Sequence, residues 1–302
     1  MKNQRLAMLS GLGAVLLWST VATAFKLTLG YYTPLQMLLI ACLTSVFVLA
    51  LLLAIRGQLG GVFRLSPRQY LQSLGLGLIN PCLYYLLLFG AFDRLPAQEA
   101  QPINYTWALV LAYLSVPFLG HSLRLTDILA GLVCYGGVVV IATRGNLSDL
   151  SFSDPLGVTL AIASTLVWAS YWILATRDRR EPVTGLLLNF LFGLPFILVL
   201  TWWQDGLPPV ASGGFAGSLY VGIFEMGLAF VLWSRAMKLA TNTARVSNLI
   251  FISPFLSLVF IYLILGEVIL ISTWVGLILI VAGLWLQQAG SKRSAARGAG
   301  HG

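Results

Sequence analysis

Ten long apolar stretches constrain the fold of this chain more than any other feature of its sequence. A helix needs about 20 apolar residues to cross the hydrocarbon core of a bilayer. Stretches of this kind lie at approximately 6–29, 34–55, 70–92, 97–118, 125–143, 154–175, 183–203, 213–237, 243–265 and 270–288. Backbone groups that face lipid must be satisfied within their own segment, and runs such as Leu256–Leu265 lack the alternation of a membrane strand. We therefore predict an all-α membrane protein with ten transmembrane helices.

The low content of charged residues supports the same fold class and excludes several others. Only 9% of the residues are charged and 58% are hydrophobic, whereas soluble proteins carry about 25% charged residues. So few charges cannot cover the surface of a water-soluble enzyme, a nucleic-acid-binding protein or a disordered chain. The net charge of +8 is scattered between apolar blocks rather than gathered on one basic face, so we expect no nucleic-acid partner.

The positions of the positive residues predict the orientation of the chain in the membrane. With a cytoplasmic N-terminus, 15 of the 18 Lys and Arg residues fall in cytoplasmic segments, and only Lys26, Arg94 and Arg144 fall outside. Cytoplasmic loops of membrane proteins carry an excess of Lys and Arg. We therefore predict that both termini are cytoplasmic and that residues 289–302, which are small, polar and basic, form a disordered cytoplasmic tail.

Similar residue patterns recur about half the chain length apart. Corresponding pairs include Trp18 and Trp168, Asn80 and Glu225, and Gly120 and Gly266, at offsets of 150, 145 and 146 residues. We predict two five-helix repeats, residues 1–145 and 146–288. Because five is odd, the second repeat enters the membrane from the opposite side, and such inverted repeats are typical of secondary transporters. A channel or a scaffold built by duplication is the alternative.

Several strings resemble a known family. The segment Ser253-Pro254-Phe255-Leu256, followed by Leu265-Gly266-Glu267, Gly276 and Gly283, resembles the closing signature of EamA-type domains in the drug/metabolite transporter superfamily. A narrower resemblance, to YddG-type aromatic amino-acid exporters, rests on Leu17-Trp18-Ser19-Thr20, Asn104-Tyr105-Thr106-Trp107 and Trp168-Ala169-Ser170-Tyr171. The resemblance implies a ten-helix inverted-repeat protein of the bacterial inner membrane that exports aromatic and other neutral amino acids. The first half has His121 where the second has Glu267, and we interpret Glu267 as a helix-end residue.

Many Trp and Tyr residues lie near the middle of the predicted spans. Rings such as Trp202 fit the headgroup level, where Trp and Tyr are common. A deeper ring carries an N–H or O–H that needs a partner, so contact with lipid tails is costly. The deep set comprises Trp18, Tyr84, Tyr85, Trp107, Trp168, Tyr171, Trp172 and Trp233. Together they predict an aromatic-lined cavity for flat apolar substrates, although helix packing is the alternative for each ring.

Polar side chains at this depth are few. Asn80 precedes Pro81, and Asn104 follows Pro102; proline frees a backbone carbonyl, which together with an amide can meet the ammonium and carboxylate of an amino acid. Glu225 is the single carboxylate near a span centre. We interpret it as a proton site or a partner for a substrate ammonium, or else as a protonated side chain bonded to a neighbouring helix. The candidate substrate-binding residues are therefore Trp18, Asn80, Tyr84, Asn104, Tyr105, Trp107, Trp168, Tyr171 and Glu225.

These features favour a secondary transporter that exports aromatic and other neutral amino acids by alternating access. An exporter of other small metabolites or lipophilic cationic drugs with the same fold is the alternative. An enzyme is not expected, because no paired carboxylates lie at depth and the two histidines, His121 and His301, lie in a loop and the tail. No metal-ligand spacing occurs, so we expect no cofactor or metal. The expected partners are a small-molecule substrate and membrane lipid; the sequence is compatible with a monomer and does not determine the oligomeric state.

Overall fold

The described part of the chain contains ten helices long and apolar enough to cross a membrane, and a short 3₁₀ helix, Leu59–Phe63, between the second and third of them. The computed structural model describes residues 2–120, 123–148, 152–210 and 212–298, and no strand occurs within these ranges. The helices are α1 Gln4–Leu29, α2 Pro34–Ile55, α3 Pro67–Arg94, α4 Ala97–Leu119, α5 Leu125–Ala142, α6 Pro155–Ala175, α7 Pro182–Gln204, α8 Gly214–Leu239, α9 Arg245–Leu265 and α10 Ile271–Gly298. The predicted all-α fold with ten membrane helices is confirmed.

The helix ends follow local signals in the sequence. Helix α3 begins at Pro67 rather than near residue 70, because Pro suits the first helical position and the Ser66 N–H donates to Gln69 Oε1 at 2.9 Å. Helix α10 continues to Gly298, so the backbone of the segment predicted as a tail, 289–302, is helical as far as that residue. The segment contains Ala, Lys and Arg, which are good helix formers, and this accounts for the extension. Residues 299–302 and His121 lie outside the described residues.

Four helices lose regular α-helical geometry along their length, and they form two corresponding pairs. Helices α3 and α8 contain wide π-helical turns at Leu78–Leu83 and Val221–Ala229. Helix α4 is interrupted at Thr106, and α9 contains a 3₁₀ turn at Asn248–Ile252. Discontinuous helices at membrane depth are tolerated where they line a cavity.

The glycines that close α4 and α9 support the predicted correspondence between the halves. Gly120 and Gly266 follow the two helices with φ of 72° and 68°. This left-handed conformation is accessible to glycine without a Cβ penalty, and it ends a helix. A glycine in the left-handed conformation therefore ends the fourth helix of each half.

Helices of one half pack against their counterparts in the other. Between α2 and α7, Thr201 Oγ1 donates to Leu35 O at 3.3 Å, and Cys42 Sγ lies 3.8 Å from Phe190 O. The beginning of α2 thus lies beside the end of α7, and the later residue of α2 lies beside the earlier residue of α7. The two helices therefore run antiparallel. Between α5 and α10, a Cβ on Gly137 would lie 2.5 Å from Gly276 O. Small residues of this kind allow membrane helices to approach closely.

Two further glycines position the helices around the centre of the molecule. A Cβ on Gly77 of α3 would lie 2.3 Å from Asn189 O of α7, and a Cβ on Gly222 of α8 would lie 2.4 Å from Ala41 O of α2. The α3–α7 and α8–α2 contacts are equivalent under the repeat. With α3 and α8 held in this way, an open space remains in the middle of the bundle.

Candidate substrate-binding cavity

A central cavity of about 400 Å³ lies between α1, α3, α4, α6, α8, α9 and α10. Small-molecule sites commonly have volumes of about 300–1,000 Å³. Ten of the 22 described lining residues are aromatic: Trp18, Phe25, Tyr84, Tyr105, Trp107, Trp168, Trp172, Phe230, Trp233 and Phe251. The polar lining residues are Gln101, Asn104, Glu225, Ser247, Gln287 and Gln288. The cavity is therefore an apolar chamber with a few polar groups, suited to a flat organic molecule.

Seven of the nine predicted site residues line this cavity, and Asn80 and Tyr171 do not. Asn80 is fully buried, and its extended backbone (φ −139°, ψ 113°) breaks the helical register that would have placed it on the same face as Tyr84. Tyr171 lies behind the ring of Trp168 and lines a smaller adjoining cavity of about 200 Å³ with Asp178 and Arg180. The structure thus gives these two residues packing positions next to the cavity wall.

Trp168 occupies the centre of the aromatic wall. Its ring stacks on Tyr84 at 4.3 Å between centroids and on Tyr171 at 5.5 Å, with interplanar angles of 21° and 16°. Trp107 and Phe230 meet it edge to face at 6.5 and 5.7 Å. Aromatic pairs in such geometries stabilise by about 0.5–1.5 kcal/mol beyond burial. Trp168 is consequently only 6% exposed, and it contributes to a stiff wall more than to a free stacking surface.

Trp18 and Trp107 present more of their rings to the cavity. Both are half-buried, unlike Trp168. Trp18 meets Phe230 at 6.0 Å and Trp233 at 5.4 Å between centroids, with interplanar angles of 84° and 55°. No ring stacks parallel on Trp18 among the described residues.

Glu225 supplies the only carboxylate in the described cavity lining. It lies in the π-helical turn of α8 and is 7% exposed. Tyr85 Oη donates to Glu225 Oε1 at 3.3 Å, whereas Glu225 Oε2 has no hydrogen-bond partner among the described residues. A buried polar atom without a partner is costly, and here it lies beside a cavity that can hold a donor.

Hydrogen bonds join the N-terminus of α4 to the connection from α9 to α10, beyond the cavity residue Gln101 of α4. Glu267 accepts from the N–H groups of Ala97 and Gln98 at 3.0 and 3.2 Å. The Gln98 side chain donates to Val268 O at 3.0 Å and accepts from Leu270 N and Thr273 Oγ1 at 2.9 and 3.0 Å. We call Glu267 and Gln98 the latch. A carboxylate at a helix N-terminus satisfies N–H groups that lack partners within the helix and opposes the helix dipole.

Other polar contacts reinforce the latched end. Glu99, which is 1% exposed, binds Arg144 at 2.7 Å and Ser153 at 2.6 Å. Lys26 Nζ donates to Phe92 O at 2.6 Å, so it contacts the end of α3 and does not line the cavity.

Asp154, which precedes α6, caps that helix and contacts Arg94. The pKa of Asp154 is lowered, chiefly by the hydrogen bond from the Gly157 N–H.

The chain matches the EamA-like transporter family over residues 5–143 and again over residues 155–287. It belongs to that family. The two matches cover most of the chain, one in each half.

Comparison of the EamA-like chain with individual proteins agrees with the family match. The chain is 24% identical to the uncharacterized transporter YvbV of Bacillus subtilis (strain 168) over 294 residues, which are 95% of this chain and 92% of that protein. It is 29% identical to the aromatic amino acid exporter YddG of Ancylobacter novellus over 239 residues, covering 77% and 79% of the two chains. A crystal structure at 23% identity superimposes with a TM-score of 0.67 over 96% of this chain and 99% of that one, which shows the same fold.

Some cavity residues of this EamA-like transporter are not singled out by the sequence. Gln101 lies one helical turn before Asn104 and Tyr105, so the spacing of three and four residues could have included it. Phe230 follows Glu225 by five residues, a spacing that shares a face only in a π-helical turn. Gln287 and Gln288 line the far end from α10, within a segment whose hydropathy alone indicates only a membrane span.

Proposed function

We propose that this EamA-like transporter is a secondary transporter of the bacterial inner membrane that exports aromatic and other neutral amino acids through the central cavity. The observation that carries the proposal is the lining: rings on several helices around a chamber of about 400 Å³ with one carboxylate. Rings stack on planar apolar solutes, and the small number of polar groups keeps binding weak enough for release. The similarity to a protein named as an aromatic amino acid exporter supports the same substrate class.

We further propose alternating access between two inverted repeats. The antiparallel packing of α2 on α7 supports inversion, since corresponding helices of inverted units run in opposite directions. We infer that the latch closes the cavity at the α3–α4 and α9–α10 connections, whereas the lining extends to Met237 near the end of α8 and to Gln288 near the end of the apolar span Ile271–Ala289 of α10. One end is thus closed while the lining reaches the other, as one state of an alternating carrier requires. By the predicted orientation, the latched end faces outward.

Flux measurements in vesicles test the proposal. Purified protein in proteoliposomes should move labelled tryptophan and phenylalanine faster than protein-free liposomes. Trp107→Ala should reduce this flux several-fold because it removes a half-buried ring from the cavity wall. Trp202→Ala is the matched control, because Trp202 is 72% exposed and lies outside the cavity. Vesicles of known orientation, with and without a pH gradient, give direction and coupling. Absence of flux above protein-free liposomes would contradict the proposal.

Glu225 favours a second candidate, a carrier of other small metabolites or lipophilic cationic drugs. A carboxylate surrounded by rings attracts organic cations through charge and cation–π contacts. A competition panel separates the candidates. Displacement of a bound lipophilic cation without any displacement by amino acids would support the drug carrier.

A further inference from the structure

The described cavity lining contains a charged partner for the ammonium group of an amino acid but none for its carboxylate. We propose that Glu225 binds the protonated amine of the substrate and that the carboxylate has no charged partner, so that aromatic amines without a carboxylate are also ligands. This inference rests on the proposed function and specifies its substrate class.

The free oxygen of Glu225 is the first step of the argument. Glu225 is 93% buried, since only 7% of its surface is exposed, yet it lines the cavity. Tyr85 occupies Oε1, and Oε2 has no partner among the described residues. An ammonium group carries three N–H donors and no acceptor. Its binding would satisfy Oε2 and supply the opposite charge that a carboxylate in a membrane span requires.

The absence of positive charge in the described lining is the second step. The lining residues include no Lys, Arg or His. Lys26 is turned to the carbonyls of Phe92 and Asp93. A carboxylate in the cavity would therefore meet neutral amides such as Gln101 and Asn104, and Asn104 Nδ2 already donates to Ser164 Oγ at 3.1 Å. It would also be repelled by Glu225.

The aromatic rings of the lining also favour a positively charged group over a negatively charged one. The face of an aromatic ring carries negative charge density, so it attracts a cation. Phe230 lies in the turn of helix after Glu225 and contacts both Trp18 and Trp168. A substrate amine near Glu225 would therefore lie among ring faces, whereas its own ring could stack on Trp18.

Three indole ligands separate the contributions of the amine and the carboxylate. Tryptophan has both groups, tryptamine has only the amine, and indole-3-propionate has only the carboxylate. We would measure their competition with labelled tryptophan on the full chain in nanodiscs, and tryptophan flux in proteoliposomes. Tryptamine should compete at least as well as tryptophan, and indole-3-propionate about tenfold or more weakly.

Variants assign the effect to the proposed residue. Glu225→Gln keeps the shape of the side chain and should weaken tryptamine about tenfold or more while leaving indole-3-propionate unchanged or stronger. Asp93→Asn is the matched control, because Asp93 is an exposed carboxyl outside the cavity. The relative strength with which the three ligands compete for the unmodified chain tests the proposal even if Glu225→Gln does not fold.

The outcomes distinguish this inference from the proposed function. Equal competition by tryptamine and indole-3-propionate, or an equal loss of all three ligands in Glu225→Gln, would overturn the inference while tryptophan flux leaves the transporter proposal standing. Failure of all three ligands to bind and of tryptophan to move would overturn the proposed function itself.

Discussion

The latch predicts that a single charge change shifts the transporter toward a state that is open at the latched end. The N–H groups of Ala97 and Gln98 bind different oxygens of Glu267, so in Glu267→Gln the amide oxygen can accept from only one of them, and the charge is lost. Hydrogen bonds to a charged group stabilise by about 1.5–3 kcal/mol, against about 0.5–1.5 for neutral ones, and a negative charge at a helix N-terminus adds about 0.3–1 kcal/mol. Glu267 is only partly buried, so solvent weakens these contributions. The closed form should therefore lose about 2 kcal/mol relative to the open form, which changes their ratio about 30-fold.

Labelling of an introduced cysteine measures this shift. Leu88 lines the cavity, is 3% exposed and lies on the part of α3 that leads to the latched end. Leu88→Cys is placed in a background in which the three native cysteines are replaced by Ala. A membrane-impermeant maleimide is then added on the latched side of oriented vesicles. Its rate of reaction should rise in proportion to the open fraction, up to about 30-fold.

A matched carboxylate provides the control for this experiment. Glu181 caps the N-terminus of α7 by accepting from the Thr184 N–H at 2.8 Å, and its side chain makes no hydrogen bond to another helix among the described residues. Glu181→Gln should therefore leave labelling at Leu88→Cys unchanged. An unchanged rate in Glu267→Gln would refute the reasoning, because the latch would then contribute nothing to closure of that end.

Two further perturbations test the packing and the electrostatics of the fold. Gly77→Ala should lower the melting temperature of the detergent-solubilised protein, since its Cβ would lie 2.3 Å from Asn189 O and overpacking costs about 1–3 kcal/mol. Gly75→Ala is the control, because the space around its Cβ is open, and it should leave the melting temperature unchanged. Asp178→Asn should also lower it, because the side chain of Arg180 is 3% exposed and would lose its charged partner at 2.7 Å. The pKa of Asp178 is lowered: burial raises it, and the hydrogen bonds from Arg180 outweigh burial. Its contribution to stability should therefore be complete above the ordinary pKa of 3.8 and be lost as the pH falls below that value, which acid melting curves can check.

The sequence predicts the helices and the repeat because their signals are local or repeat at a fixed offset. A run of apolar residues specifies a span whatever it packs against, and Gly120 and Gly266 end corresponding helices with the same left-handed backbone. The cavity is predicted as a group for a similar reason, since a ring with a polar atom avoids lipid. Local signals therefore give the elements and the kind of residue at the centre.

Individual site residues are harder to predict because they depend on helix register. Asn80 and Tyr84 are four residues apart, a spacing that shares a face in a regular α-helix. The extended backbone at Asn80 breaks that register, so Tyr84 lines the cavity and Asn80 does not. Pro81 marks a distortion in the sequence, but it does not give the rotation that results.

The latch lies beyond sequence reasoning for a different reason. Glu267 reads as a helix-end residue, but the helix whose end it binds begins at Ala97, in the other half of the chain. No spacing rule connects positions so far apart. Only the packing of the two repeats brings the α9–α10 connection to the N-terminus of α4, and Gln98 then completes the contact.

Corresponding residues of the two repeats have come to serve different purposes, and this asymmetry gives the cavity its chemistry. Trp18 is half-buried and has no parallel ring stacked on it among the described residues, whereas Trp168 is stacked between Tyr84 and Tyr171. Glu225 lines the cavity, whereas Asn80, its counterpart, is fully buried beside it. In the proposed alternating access, the two repeats would exchange conformations. A cavity with its charge on one wall would still hold a substrate in one orientation throughout that exchange, so in this proposal the likeness of the repeats gives the motion and their differences give the selectivity.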